Sequence, residues 1–349
     1  MTDPFFTAPY VNDILHQGEA LEASLSAFAA RPFADLAAYA AGLRSGKLRR
    51  VILTGMGSSY HALQPLLLGL LGQGLQAQSM ETSELIHHAP GLLTPDSLIV
   101  AVSQSGASAE ILQLLKLLPA QGALIGVTNT PDSPLFERST ATLLTWAGSE
   151  STVSCKTYVT ALVALVALEA ALTGGNPGAA LSELAGLPQA VAAYLSGMPA
   201  YVEALEKKLK EARYLVLTGR GKSLAAVGTG SLIIKEAAHF PADGMSSAAF
   251  RHGPLDMVSP QTFVLVYEGL EPTRAVNRAL VADIQKVGGE AALVVCGSDR
   301  GVFQLPAVPA AGLPVLEILP AQMLSLALAK LQRRVPGQFS TGSKVTTRE

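Results

Sequence analysis

The run Val51–Ser59, VILTGMGSS, returns 164 positions later as Leu215–Ser223, LVLTGRGKS. In both copies an apolar stretch ends in Thr, Gly, any residue, Gly, any residue, Ser. A period that long excludes a solenoid, whose units run to about 20–50 residues, and marks a duplicated domain. The same grammar recurs inside the first copy. LIVAVSQSGASAE (Leu98–Glu110) and ALIGVTNTPDSPL (Ala123–Leu135) each run from apolar stretch through small-residue turn into helical pattern. Short apolar runs alternating with amphipathic helices predict βαβ units and a parallel sheet. The second copy adds strands near Phe263–Tyr267 and Ala292–Cys296 and a helix from about Gln322 to Leu331.

The chain has 349 residues. That is too long for one ordinary core and suits two domains of about 150 residues each. Asn12–Leu43 reads as two helices broken at Pro32, a long helical zone covers Lys156–Thr173, and GGNPG (Gly174–Gly178) is the strongest break. Two helices follow, through Lys210, before the pattern restarts at Arg213. The expected division is 1–30 as an N-terminal helical segment, 31–178 and 179–332 as two α/β domains, and 333–349 as a polar tail without periodicity.

Hydrophobic residues make up 49% of the chain and charged ones 15%, which argues for a packed globular protein with interface to bury, not for disorder. Net charge is −2 and no basic run exceeds Lys207–Lys208, so nucleic acid is not an expected partner. The N-terminus has no positive segment leading into an apolar one, so it does not read as a secretory signal. The most apolar segment, Thr157–Leu172, contains Glu169 and falls short of the roughly 20 residues of a membrane span; it reads as a buried core helix. Cys155 and Cys296 lie far apart, and so few cysteines suit a reducing, cytoplasmic setting.

Ligands of open parallel sheets bind beyond the carboxyl ends of the strands. A helix that starts there offers free N–H groups and the positive end of its dipole to an anion. SQSGAS places Ser103, Gln104, Ser105 and Ser108 around one such start, and GMGSS places Ser58 and Ser59 at another. Serine is also a favoured N-cap, so one loop alone is open to either reading. Two such loops in one half-chain favour a phosphate cradle made of hydroxyls and backbone. Neither loop is a known nucleotide fingerprint. GRGKS lacks the Walker spacing, and GMGSSY lacks the third glycine of a dinucleotide loop.

GMGSSYHA, SQSGASAE, the duplication and FRHGPLDM together resemble the SIS (sugar isomerase) family, from about Pro9 to the last residue. The resemblance is greatest to the isomerase half of glutamine–fructose-6-phosphate amidotransferase and to stand-alone glucosamine-6-phosphate deaminases. It implies an α/β chain of two tandem SIS domains, each a doubly wound, flavodoxin-like parallel sheet flanked by helices. It implies phosphate and sugar contacts at Ser58, Ser59, Ser103, Gln104, Ser105 and Ser108. Val153 and Ser154 join them, in a segment one residue shorter than the family's. It implies Glu236 (IIKEAAHF) as catalytic base and His252 (RHGP) as the ring-opening group. That histidine reaches the site of the partner subunit, hence a homodimer. It implies Lys344 (GSKVTTRE) as a third catalytic residue, which makes the featureless tail an active-site lid. The implied ligand is a hexose or hexosamine 6-phosphate, with no metal or organic cofactor and no membrane. Two departures matter. No glutaminase module with an N-terminal cysteine precedes the sugar domains, and Ile233 (LIIKE) stands where the amidotransferases carry a lysine (LKLKE). The expected reaction is therefore glucosamine 6-phosphate to fructose 6-phosphate plus ammonia. The amide-transfer isomerase, a fructosamine-phosphate deglycase and a non-catalytic phosphosugar sensor remain alternatives.

Read singly, these residues have plainer meanings. Glu236 beside Lys235 is a solvated helix pair, His252 before Gly-Pro a helix-start histidine, and Lys344 a tail charge; only the family spacing promotes them. His61, His87, His88 and His239 show no metal-ligand spacing and read as structural. Glu81 and Thr82 are open between sugar pocket and helix cap, and Arg251 between a carboxylate and a phosphate partner. Cys155 reads as a small apolar residue, not a nucleophile.

Overall fold

The structure is a computed structural model and describes residues 4–31, 33–297, 301–340, 344 and 346. Its strands are β1 (Arg50–Gly55), β2 (Ala77–Glu81), β3 (Ser97–Val102), β4 (Ala123–Thr128), β5 (Ala141–Leu144), β6 (Tyr214–Gly219), β7 (Ala242–Ser246), β8 (Thr262–Tyr267), β9 (Glu290–Gly297) and β10 (Gln304–Pro306). They form two five-stranded sheets ordered β2-β1-β3-β4-β5 and β10-β9-β8-β6-β7. Every pairing within them is parallel. Numbered within its own unit, each sheet has the strand order 2-1-3-4-5, whose switch point lies between its first and third strands.

The chain divides into two compact units. The leading unit holds the first sheet and comprises Glu19–Ser149, Lys156–Ala185 and Gly342–Glu349; the trailing unit holds the second and comprises Met1–Gly18, Glu150–Cys155 and Gly186–Thr341. In the leading unit Ile52, Ile99 and Leu124 from the sheet pack with Leu85, Ile111 and Leu114 from helices. In the trailing unit Val216, Val264 and Val266 pack with Phe250, Leu280 and Ile284. Central strands β3 and β8 are buried along their whole length, as expected for continuous apolar runs in a parallel sheet.

Helix Lys156–Leu172 is buried over most of its length, which agrees with the core-helix reading of that apolar segment. Among the described residues one helix, Leu313–Leu331, is long and apolar enough to cross a membrane, but 94% of that window is buried within the protein. The helix expected from Gln322 therefore begins nine residues earlier, at Leu313. Pro314 sits in its first turn, where a missing N–H is harmless, and Pro320 is tolerated mid-helix inside a fully packed environment. The leading helical stretch has three helices and not two, Pro9–Leu15, Gln17–Ala30 and Ala34–Ser45. The stretch after the GGNPG break also holds three, Pro177–Ser182, Leu187–Leu195 and Met198–Leu209.

Helix Leu313–Leu331 carries a carboxyl into the core. Glu317 is 2% exposed, and the Ser223 hydroxyl donates to its Oε1 at 2.8 Å. Burial pushes its pKa up to about 8, with the Ser223 hydrogen bond opposing. The folded chain therefore keeps this proton where the unfolded chain, near 4.5, has lost it. The stability that depends on it is complete below the unfolded value and is lost as pH rises towards 8, at about 1.4 kcal/mol per pH unit. Glu317→Gln should flatten this slope, because it keeps the shape and the acceptor but cannot ionise. Thermal melts of both proteins at pH 5.5 and pH 8 check this; an equal loss of Tm in the two would exclude a neutral, buried Glu317.

Candidate functional site

In the leading unit the loops after β1 and β3 enclose a cavity of about 140 Å3. Ser59, Ser103, Gln104, Ser105, Ser108 and Lys344 all line it. The loop after β3 is held by its neighbours. Ser103 N–H donates to Val127 O at 3.0 Å and so extends the β3–β4 ladder by one residue. The Gln104 carbonyl accepts from Asn129 N–H at 3.1 Å and from the Thr128 and Thr130 hydroxyls at 3.2 Å each. Gly106 then turns the chain with φ 62°, in the region that favours glycine. A Cβ there would lie 2.2 Å from Ser133 Oγ.

Ser108 caps the helix Ala109–Leu117 by accepting from Ile111 N–H at 3.5 Å, and it lines the cavity as well. Capping and a place in the cavity wall are thus not alternatives for this residue. The tail returns to the same helix start. Ala109 N–H donates to Thr346 O at 3.2 Å, and Lys344 borders the cavity. On the other side, the chain turns at Gly57 with φ 53° into the helix Gly57–Ala62. The strands meet closely here, since a Cβ on Gly55 would lie 2.9 Å from Val102 O. Ser59 faces the cavity, whereas Ser58 is buried and is not in its lining. Thr82 is buried and accepts from the Thr54 hydroxyl at 3.0 Å, so it ties β1 to the helix Thr82–His88 that follows β2. Glu81 occupies that helix's N-cap position without a side-chain cap bond.

The trailing unit holds the other sequence-predicted residues. Glu236 is half-buried in the last turns of helix Leu224–Ala238, which follows β6, and Ile233 one turn earlier is fully buried. Tyr10 is fully buried, with its hydroxyl 3.3 Å from Ser325 Oγ. Burial pushes the Tyr10 pKa well above its usual value; Cys155, Glu236 and Glu150 add to this and Ser325 opposes it. The candidate base therefore shares a neighbourhood with Tyr10, Glu150 and Cys155. Cys155 is buried and its N–H donates to Glu150 Oε1 at 2.9 Å, which fits the expected structural role. In the same segment Val153 is fully buried and Ser154 half-buried. The chain passes this helix again at Gly337, whose N–H donates to Ala237 O at 3.1 Å. His239, with φ 52° at the end of the helix, contacts Arg334 at 3.3 Å and Ser340 at 3.5 Å, a structural role. His252 is exposed at the end of helix Ser247–Arg251. Arg251 donates to Asp283 at 2.6 Å, which decides its partner as a carboxylate.

The cavity lining also includes Met56, Glu110 and Thr346, and Tyr10 adjoins Glu236; sequence reasoning singled out none of these. Glu110 opened the helical pattern after SQSGAS and so carried a positional signal. Tyr10 and Thr346 carried none. Among the described residues no group of three or more His, Cys, Asp or Glu is placed to hold a metal ion.

An open parallel sheet with its cavity at the switch point defines an α/β protein of the doubly wound type. Residues 46–171 match the SIS domain, so the chain carries a SIS domain. It is 31% identical over 324 residues to the isomerizing glutamine–fructose-6-phosphate aminotransferase of Pyrococcus horikoshii, covering 87% of this chain and 52% of that protein. It is 28% identical over 311 residues to the Chlorobaculum tepidum enzyme of the same name, covering 83% and 49%. The chain thus spans about half the length of the curated relatives it matches. Among solved structures, the C-terminal domain of glucosamine-fructose-6-phosphate aminotransferase from Francisella tularensis aligns over 100% of both chains with a TM-score of 0.80 at 20% identity. Glucosamine-6-phosphate deaminase from Thermotoga maritima aligns over 98% of this chain and 100% of its own, with a TM-score of 0.77 at 19% identity. At these identities the structures show the shared fold.

Gly106→Ala should lower stability by at least about 1 kcal/mol, because it adds both a strained φ and a collision with Ser133. Gly46→Ala is the control: its φ is 76° but a Cβ there meets nothing within 4 Å. Melting curves should show a larger Tm loss for Gly106→Ala, and equal losses would remove the packing argument for this loop.

Proposed function

We propose that this protein is a phosphosugar aldose–ketose isomerase and deaminase. It converts a hexosamine 6-phosphate, first of all glucosamine 6-phosphate, to fructose 6-phosphate and ammonia. The single observation that carries the reading is the leading unit's cavity, where serine hydroxyls, a helix start and the Lys344 side chain converge. Hydroxyl and backbone donors suit a phosphate dianion, and an ammonium adds the cation those donors lack. The names of the relatives support an amino-sugar phosphate as the ligand. Ile233, buried and apolar where the amidotransferases carry lysine, supports release of ammonia over its transfer.

In the proposed mechanism His252 moves a proton between the ring oxygen and O1, which opens the sugar. Glu236 takes the proton from C2 and returns one to C1, which leaves a C2 imine. Water adds to that imine and ammonia departs, giving the ketose. A positioned base of this kind contributes about 10²–10⁴-fold. Lys344 is assigned to the phosphate end of the substrate on the strength of its place in the cavity; a Schiff base with the open-chain ketose is the other role a lysine amine could play. Val153 and Ser154 are proposed sugar contacts. Further, the protein is proposed to work as a cytoplasmic homodimer, in which each His252 serves the partner subunit's site.

The assay is incubation with glucosamine 6-phosphate, following ammonium and fructose 6-phosphate, with galactosamine and fructose-amine 6-phosphates as parallel substrates. Turnover of fructose-amine 6-phosphate alone would move the assignment to a deglycase, and no turnover of any would end the enzymatic reading. Glu236→Gln should lower kcat by about 10²–10⁴-fold, and an undiminished rate would remove it as the base. Lys344→Ala should raise KM more than it lowers kcat; the reverse split would favour the Schiff base. Mixing inactive Glu236→Gln and His252→Ala proteins, with subunits allowed to exchange, should restore about a quarter of wild-type activity, because only one site in each hybrid dimer is intact. No recovery in demonstrated hybrids would place His252 in its own subunit's site.

A further inference from the structure

The two units repeat the same register at their switch points. Gly55 pairs with Val102 across β1 and β3, and Thr218 pairs with Val266 across β6 and β8, which brings Gly219 beside Tyr267. The residues beyond the strands correspond in turn. Ser103 N–H donates to Val127 O at 3.0 Å, and Glu268 N–H donates to Val294 O at 3.0 Å. Glu268 thus holds the place of Ser103. By the 164-residue offset Ser223 holds the place of Ser59, Arg220 that of Met56, and Gly221, with φ 63°, that of Gly57, with φ 53°.

The side chains at these matched places differ in one consistent way. Ser59 and Ser103 line a cavity, whereas of their counterparts Ser223 is bonded to a carboxyl group and Glu268 is itself one. Ser223 gives its hydroxyl proton to Glu317, whose Oε2 has no partner among the described residues. Glu268 is 4% exposed and pairs with Arg278 and, at 3.3 Å, with Arg274. The loops abut, since a Cβ on Gly269 would lie 3.0 Å from Ser223 Oγ. Arg220 has a buried Nε with no hydrogen-bond partner among the described residues. This strand end therefore carries Arg220 in its first loop and Arg274 and Arg278 paired with Glu268, so cationic side chains and the protein's own carboxyls stand where the leading unit has hydroxyls.

We propose that the trailing unit carries a second copy of the phosphate seat, held shut by Glu268 and Glu317. Removing both carboxyls uncovers a site for a phosphate dianion, bound by Ser223, the start of the following helix and the arginines. An acceptor-only carboxylate in Ser103's place repels a phosphate oxygen, and a hydroxyl already donating to Glu317 has no proton left for one. This inference rests on the proposed phosphate role of the leading cavity.

The experiment is calorimetric titration of the full chain with inorganic phosphate and with hexose 6-phosphate. Four proteins are compared: wild type, Ser103→Ala/Ser105→Ala, Glu268→Ser/Glu317→Ala, and the combination of all four changes. The expected counts are one phosphate per chain in wild type, none with the leading seat disabled, two with the trailing seat opened, and one in the combination. A folded Glu268→Ser/Glu317→Ala protein that still binds one, with none in the combination, overturns the proposal; so does a wild type that binds two. No binding by wild type, with one site gained in the opened protein, would instead overturn the leading-cavity reading and leave the trailing seat standing. Circular dichroism reports folding. Should the double variant fail to fold, each single change is titrated alone. A second, weaker site in either supports the inference, and its absence from both, folded, overturns it.

Discussion

Parallel pairing of every strand is the constraint from which the rest follows. It sends all the carboxyl ends of a sheet to one edge, and the 2-1-3-4-5 order leaves a crevice where the first and third strands part. Backbone crowds that crevice. A Cβ on Gly55 would press on Val102 O, and one on Gly106 would collide with Ser133. The residues able to occupy such turns are small, and small residues with hydroxyls can cap a helix and still donate outward. Ser108 does the first while facing the cavity, so one side chain serves both the helix start and the cavity wall.

The same physics explains which parts of this fold the sequence announces. Strands β1, β3, β4, β6 and β8 lie inside their sheets and are buried on both faces, so each reads as an unbroken apolar run. Edge strands β2 (AQSME) and β7 (ADGMS) are polar and only partly buried, and β10 has three residues; none looks like a strand before its neighbour is known. Helix Leu313–Leu331 conceals its first half behind two prolines, because tertiary burial overrides propensity there. The break at His16 is marked only by Gly18, which lies inside the next helix and so does not read as a stop.

The candidate site divides along similar lines. The serine loops were legible because local geometry demands them. Lys344 was legible only through family resemblance, since nothing periodic leads to it. Tyr10 was not legible at all: its importance comes from a fully buried hydroxyl near Glu236 and Glu150, a neighbourhood made by residues distant in sequence. Duplication sharpens the point. Ser103 and Glu268 occupy matching backbone positions with matching hydrogen bonds, yet one is a hydroxyl facing a cavity and the other a carboxylate among arginines. The scaffold sets where a ligand can sit; side chains at a few positions decide whether one does.

Lys344 and Thr346 bear on that decision in the leading unit. Thr346 O takes the Ala109 N–H, one of the donors a helix start would otherwise offer an anion. Lys344 brings an ammonium to a cavity that also contains the Glu110 carboxylate. A hydrogen-bond donor is lost and a full positive charge is gained. In a partly dehydrated cavity the charge outweighs the single donor for a dianion, because Coulomb attraction grows as the effective dielectric falls. On the proposed phosphate reading, the ammonium of Lys344 thus more than offsets the donor that Thr346 takes.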